Sequence, residues 1–184
     1  MIKGLNLILR AVEPSDVDLL YIWENDAQIC KVSNSIAPVS RFVLQQYVMN
    51  AHEDIHTSKQ LRLMIDQISG EEVHTIGAVD LFDYDPINRR AGVGILIERG
   101  HQGMGLAAEA LELLIHYCFE ILFLHQLYCT ISVGNHSSMK LFQKHGFVET
   151  GLRREWLRDS DGWCDERFLQ LINPRDNYSQ KEPQ

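Results

Sequence analysis

The 184-residue sequence predicts an α/β domain with a sheet of about seven strands and about four helices. Three observations lead there. Short stretches of alternating apolar and polar residues, the period of a half-buried strand, recur along the chain. One long segment, Leu106 to Leu122, carries its apolar residues at helical spacing instead. Between them, the glycine-rich turn Gln102-Gly103-Met104-Gly105-Leu106-Ala107 follows the apolar run Val93-Gly94-Ile95-Leu96-Ile97, so a strand passes directly into a helix.

Leu5 to Val12 alternates as a first strand, with Leu5, Leu7 and Leu9 on one face. Glu13-Pro14-Ser15-Asp16 then opens a helix through Trp23-Glu24, with proline in its first turn. Asn25 to Val39 reads as loop, and Ser40 caps a second helix running to about His56. Gln60 to Gln67 and Thr75 to Phe82 are strands, and Gly77 marks a bulge or a close backbone approach in the second. Asp83 to Asn88 is a turn and Arg89 to Ile97 a strand. On the helix that follows, Leu106, Ala110, Leu111, Leu114, Ile115, Cys118 and Phe119 form one apolar stripe, which is core. Gln126 to Val133 is a strand. A short helix follows Gly134-Asn135-His136 and stops at Gly146, with Lys144 near its negative end. Phe147–Leu157 and Trp163–Ile172 form a closing hairpin around Asp159-Ser160-Asp161-Gly162. Residues 1–172 are expected to be one domain and 173–184 a polar tail.

A net charge of −8 argues against a nucleic-acid surface, which carries basic patches. Cys30, Cys118, Cys129 and Cys164 are scattered with no Cys-x-x-Cys pair, so no metal site is expected. Free thiols suit a reducing compartment, and the chain is expected in the cytoplasm. No apolar run approaches 18 residues, so no membrane span is expected.

The glycine-rich turn suits a phosphate or pyrophosphate. Small residues admit a ligand close to the backbone, and the unpaired N–H groups of a helix's first turn face it. No lysine follows Gly105, which excludes a P-loop. A dinucleotide fingerprint needs an acidic residue about 20 positions on. Leu122 to His125 supplies none.

Gln102, Gly105 and Ala107 match the Gln/Arg-x-x-Gly-x-Gly/Ala signature of the GNAT superfamily of acyl-CoA N-acyltransferases, and the chain resembles that family. Asn135-x-x-Ser138-x-x-Leu141-Phe142-x-Lys144-x-Gly146-Phe147 resembles a second segment of it. Looser likenesses, Leu7-x-Leu9-Arg10-x-x-x-Pro14-x-Asp16 and Gly151-Leu152-Arg153-Arg154-Glu155, are similar to the branch of spermidine acetyltransferases and ribosomal-protein N-terminal acetylases. The resemblance implies a mixed, mostly antiparallel sheet splayed between strands four and five. It implies acetyl-CoA as donor, its pyrophosphate held by Gln102, Gly103, Met104, Gly105, Leu106 and Ala107. Ile95 and Ile97 would pair by main chain with the pantetheine arm, and Asn135, Ser138 and Lys144 would touch the cofactor's far side. Relatives are often dimers, so a homodimer is one option and the oligomeric state stays open.

The implied reaction is direct attack of a neutral amine on the thioester. Deprotonating an amine of pKa about 10.4 at pH 7 costs roughly 4.6 kcal/mol. A leaving thiolate of pKa about 8.5 asks only about 2 kcal/mol, so a base matters more than an acid. The family's acid, a tyrosine, is replaced by Phe142, and its glutamate base on the fourth strand by Gly92. Asp80, acidic within a strand, is the candidate base, with Tyr128 and Cys129 as weaker candidates on opposite faces of theirs. Asp80, Asp83, Asp85, Glu53 and Asp54 could form an acidic mouth for a polyamine or other small amine, or equally be solvated turns and a helix end. A protein N-terminus is the rival acceptor, and a catalytically degenerate CoA-binding domain is the rival class.

Overall fold

The structure, a computed structural model, describes residues 1–29, 37–51, 53–70, 72–159 and 162–176. Cys30, the centre of the Asn25–Val39 loop, Ser160-Asp161 of the hairpin turn and residues 177–184 lie outside the described residues.

Eight strands form one sheet: β1 (Ile2–Lys3), β2 (Leu7–Ala11), β3 (Leu61–Ser69), β4 (Glu72–Asp85), β5 (Arg90–Ile97), β6 (Gln126–Ser132), β7 (Val148–Asp159) and β8 (Gly162–Ile172). Their order is β1-β2-β3-β4-β5-β6-β8-β7. Every pair is antiparallel except β5–β6, which is parallel. The strand beyond the expected seven is β1, two residues pairing Ile2 with Leu9. Leu5 leaves the predicted apolar face: it lies in the link between β1 and β2 and is exposed, while Leu7 and Leu9 are fully buried.

The helices that lie wholly within the described residues are α1 (Val17–Glu24), α2 (Arg41–Asn50), α3 (Ile55–Ser58), α4 (Leu106–Glu120) and α5 (His136–Lys144). A 3-10 turn at Pro14–Asp16 leads into α1. Ser40 caps α2 as predicted, its side chain accepting from Val43 N–H. The single helix expected to His56 ends at Asn50, and Asp54 caps a separate short one by accepting from His56 N–H. On α4, Leu106, Ala110, Leu111, Leu114 and Cys118 are buried and Ile115 and Phe119 pack half-buried beside them.

The two sheet faces carry different loads. Leu63, Ile65, Val79, Leu81, Val93, Leu127, Cys129 and Ile131 pack with α4 and α5 in the main core. On the other face Met64 and Ala78 meet Leu20, Trp23, Leu44 and Val48 of α1 and α2. Gly77 permits the close approach expected of it: a Cβ there would stand 2.1 Å from Leu96 O. The bulge is its neighbour Ile76, which has no opposite residue between the pairs Ile65–Gly77 and Asp66–Thr75.

Residue 173 does not begin a free tail. Asn173 is buried and its N–H donates to His125 O at 2.8 Å. Asp176 accepts from His125 Nδ1 at 2.9 Å and pairs with Arg89 at 3.0 Å. This clasp ties the chain beyond β8 to the start of β6 and to the turn before β5.

Arg10 staples the opposite end of the sheet. Its guanidinium donates twice to Asp16, at 2.7 and 2.8 Å, and to Asp66 at 2.7 Å, while Thr75 Oγ1 donates to Asp66. Both carboxylates are buried. Burial alone would raise the Asp16 carboxyl, but hydrogen bonds from Arg10 and from Glu13 N–H outweigh it and hold it below its ordinary value. R10M leaves two buried carboxylates without their cation, and urea unfolding at pH 7 should show a loss of about 3–5 kcal/mol. A depressed carboxyl contributes stability present above its unfolded pKa of about 3.9 and lost as pH falls through the lower folded value. The gap between wild type and R10M should therefore narrow below about pH 4.

Candidate functional site

β5 and β6 pair only at Arg90–Gln126, Ala91–Leu127 and Gly92–Tyr128, and then part. The side of β5 that faces the opening follows from its hydrogen bonds. Glu98 N–H donates to Ile76 O on the β4 side, and Arg89 O accepts from His125 and Gln126 N–H on the β6 side. Alternation along a strand then turns the main-chain groups of Val93, Ile95 and Ile97 toward the gap. The expected splay is present, and the main-chain groups of Ile95 and Ile97 face it. The Ile97 carbonyl is already engaged, accepting from Gln102 Nε2 at 2.8 Å.

The gap opens into a cavity of about 610 Å3, within the range of small-molecule sites. Its floor and walls come from β3 to β8, from α1 and α2 on one side, and from Asn135, Ser138 and Phe142 on the other. Asp80, Ile95, Asn135 and Ser138 of the predicted set share this lining. Ile97 and the turn from Gln102 to Ala107 continue beyond it, at the end of β5, and Lys144 stands exposed at the far end of α5.

The turn has the geometry of an anion cradle. Gly103 and Gly105 take φ of 77° and 82°, in the left-handed region open to glycine, and neither has an atom within 4 Å of a would-be Cβ. None of the N–H groups from Gly103 to Ala107 finds a backbone acceptor among the described residues. They stand at the positive end of the 15-residue helix α4. Asn135 serves as N-cap of α5, accepting from Ser138 N–H at 3.1 Å, while also lining the cavity.

Asp80 lies in the cavity within an ion cluster that sequence reading missed. Arg62 Nε donates to its Oδ1 at 2.6 Å and Arg62 Nη2 to its Oδ2 at 3.1 Å, while Arg62 Nη1 reaches Glu24 at 2.7 Å. The Tyr47 ring lies 5.8 Å from the guanidinium. Burial opposes the charge on Arg62, but its carboxylates outweigh that, so it stays protonated. Arg62 was the missing signal: it sits directly opposite Asp80 across β3 and β4, a pairing visible only once the register is known.

The proposed acidic mouth resolves mostly into structural duties. Asp54 caps α3, Asp83 accepts from Tyr128 OH at 3.1 Å, and Asp85 holds Ile87 and Asn88 N–H in the turn. Only Glu53 borders a second, smaller hollow of about 230 Å3 beside Tyr47, Gln60 and Arg62. Glu166 of β8, unnoticed in the sequence, lines the main cavity.

Phe142, in the family's tyrosine position, does line the cavity, edge-on to Phe147 at 5.0 Å. Gly92 carries no side chain for a steric reason: a Cβ there would stand 2.2 Å from the Phe82 ring. Neither weaker candidate for the base is well placed. Burial pushes the Cys129 thiol up to about 12. Burial, then Asp83, pushes the Tyr128 phenol up to about 12, and it lies outside the cavity lining. At pH 7 each keeps its proton and offers no ready base. Among the described residues no three His, Cys, Asp or Glu side chains converge to hold a metal ion, and no helix is long and apolar enough to cross a membrane.

Comparison with known proteins agrees with this geometry. Residues 6–148 match the model of the acetyltransferase (GNAT) domain. The chain belongs to the GNAT acetyltransferase family. Spermidine N(1)-acetyltransferase of Vibrio cholerae is 30% identical over 145 residues, covering 79% of this chain and 80% of the relative. Ribosomal-protein-serine acetyltransferase of Escherichia coli is 26% identical over 121 residues, covering 61% and 68%. The crystal structure of the Vibrio cholerae spermidine N-acetyltransferase in complex with CoA and spermine superposes with a TM-score of 0.82 at 26% identity, covering 91% of this chain and 95% of that one.

The contact at Gly92 gives a direct check. G92A should lower stability by about 1–3 kcal/mol through overpacking against Phe82, read as a fall in Tm, and adding F82L should recover most of the loss.

Proposed function

We propose that the chain transfers the acetyl group of acetyl-CoA to a primary amine of a small polycationic acceptor, of the polyamine kind. The observation that carries the acceptor class is the cavity's acidic lining: among the described residues, Asp80, held by Arg62, and Glu166, held by Arg153, present carboxylates from opposite walls. Carboxylates lining a cavity at the mouth of a splayed sheet attract ammonium groups. The relatives named for spermidine support this reading.

On the donor side, the unpaired edge of Val93 and Ile95 offers main-chain partners to an amide-bearing arm. The N–H groups from Gly103 to Ala107 would hold the pyrophosphate by charge-assisted bonds. Asn135 and Ser138 border the same space from α5. The amine must shed a proton before its nitrogen bonds to the acetyl carbon and the carbon–sulfur bond breaks. Asp80 takes that proton through water while both its oxygens go on accepting from Arg62. The departing thiolate, the less demanding leaving group, draws its proton from water, since Phe142 has none to give.

A panel of amines followed by release of free CoA thiol tests the reading. Turnover with spermidine and similar amines is expected. Turnover only with peptides bearing free N-termini would favour a protein acceptor, and turnover with neither would mark a CoA-binding domain without catalysis. D80N should lower kcat by about 100-fold or more. Full transfer by D80N across pH 6–9 would remove Asp80 from the mechanism. M104E sets a carboxylate beside the proposed pyrophosphate position on an exposed residue. It should raise the KM for acetyl-CoA about tenfold, about 1.4 kcal/mol, while leaving Tm unchanged.

A further inference from the structure

Glu166 is not explained by the donor edge or by the Asp80 cluster. It sits on the opposite wall of the cavity, on β8, in register with Ser132 of β6. It is 5% exposed. A carboxylate so placed is costly unless paired, and its pairing is one-sided. Arg153 Nη1 donates to Oε2 at 2.8 Å, whereas Oε1 accepts from no group among the described residues. Arg153 is 43% exposed and rests against the rings of Trp156 at 5.1 Å and Phe168 at 5.7 Å. A guanidinium held on two aromatic faces at the surface can release the carboxylate and keep its other contacts. Glu166 is thus a buried anion inside the cavity with a displaceable partner.

We propose that Glu166 binds a second, non-reacting ammonium group of the acceptor and makes the chain selective for diamines and polyamines over monoamines. The proposal rests on the cavity being the amine site. β4 and β8 stand three strand intervals apart, about 14 Å at about 4.8 Å each, and the splay widens this. Side chains reach inward from both strands. A long flexible amine charged at both ends spans from the Asp80 cluster to Glu166. A monoamine of equal length puts a methyl group against a carboxylate.

The test compares 1,8-diaminooctane with octylamine at saturating acetyl-CoA, following CoA thiol release. Wild type should favour the diamine in kcat/KM by about tenfold or more. E166Q keeps the shape and an oxygen for Arg153. It should raise the diamine KM by about tenfold, hold kcat within about threefold, and leave octylamine unchanged, which also reports an intact fold. R153M, removing the competing cation, should lower the diamine KM. Equal effects of E166Q on both amines, no effect on either, or a higher diamine KM in R153M would overturn the role of Glu166. Equal use of both amines by wild type would do the same while leaving the acetyltransferase reading intact. No transfer to either amine by wild type would overturn both.

Discussion

Three residue pairs join β5 to β6, and everything that makes this sheet a site follows from the fourth pair's absence. A strand left without a neighbour exposes N–H and C=O groups that must find partners or lose about 1–3 kcal/mol each when shielded from water. Val93 and Ile95 carry such groups into a cavity rather than onto an open sheet edge. The closed end is held by Arg89 O accepting two N–H bonds, and beside it Tyr128 stands between Phe82 and Phe168, with centroids 5.8 and 5.3 Å away. The open end is held apart by the crossover through α4, whose apolar stripe anchors it to the main core. Packing on one side and ring contacts on the other therefore set the gap.

Two arginines organise the charges, and their surroundings give them different work. Arg10 binds Asp16 and Asp66, whose side chains are only 6% and 9% exposed, and the group acts as a staple between β2, β3 and the turn before α1. Arg62 binds Asp80 and Glu24, 30% and 24% exposed, on the wall of the cavity. In the first, Thr75 Oγ1 and Glu13 N–H complete the hydrogen bonding of the two carboxylates. The second lines the cavity.

What could be read from the sequence was whatever lies close together along it. The proposed donor site is local: Val93 to Ala107 forms an edge and a turn in one stretch, and Asn135 to Ser138 is one helix start. The stripe of α4 and the Ser40 cap are local too, and both stand where periodicity and capping chemistry put them. Acceptor-side groups were hidden because they converge from α1, β3, β4 and β8. Arg62 meets Asp80 across 18 positions, and Glu166 meets the cavity only through the β6–β8 register. Asp83 and Asp85 drew attention as acids, but main-chain and phenol hydrogens claim them first. Leu5 fitted the alternation and still faces water, because strand periodicity says nothing about where a two-residue edge strand interrupts it.

The clasp of Asp176 with His125 and Arg89 lies beside the three pairs that close the splay. It braces the closed end like the pivot of a clothes-peg. Bonds from three separate stretches of chain, residues 89–92, 125–128 and 173–176, meet there. No β5–β6 pair crosses the open end beyond Gly92. The chain's last described residues thus anchor the closed end of a gap to which they contribute no lining.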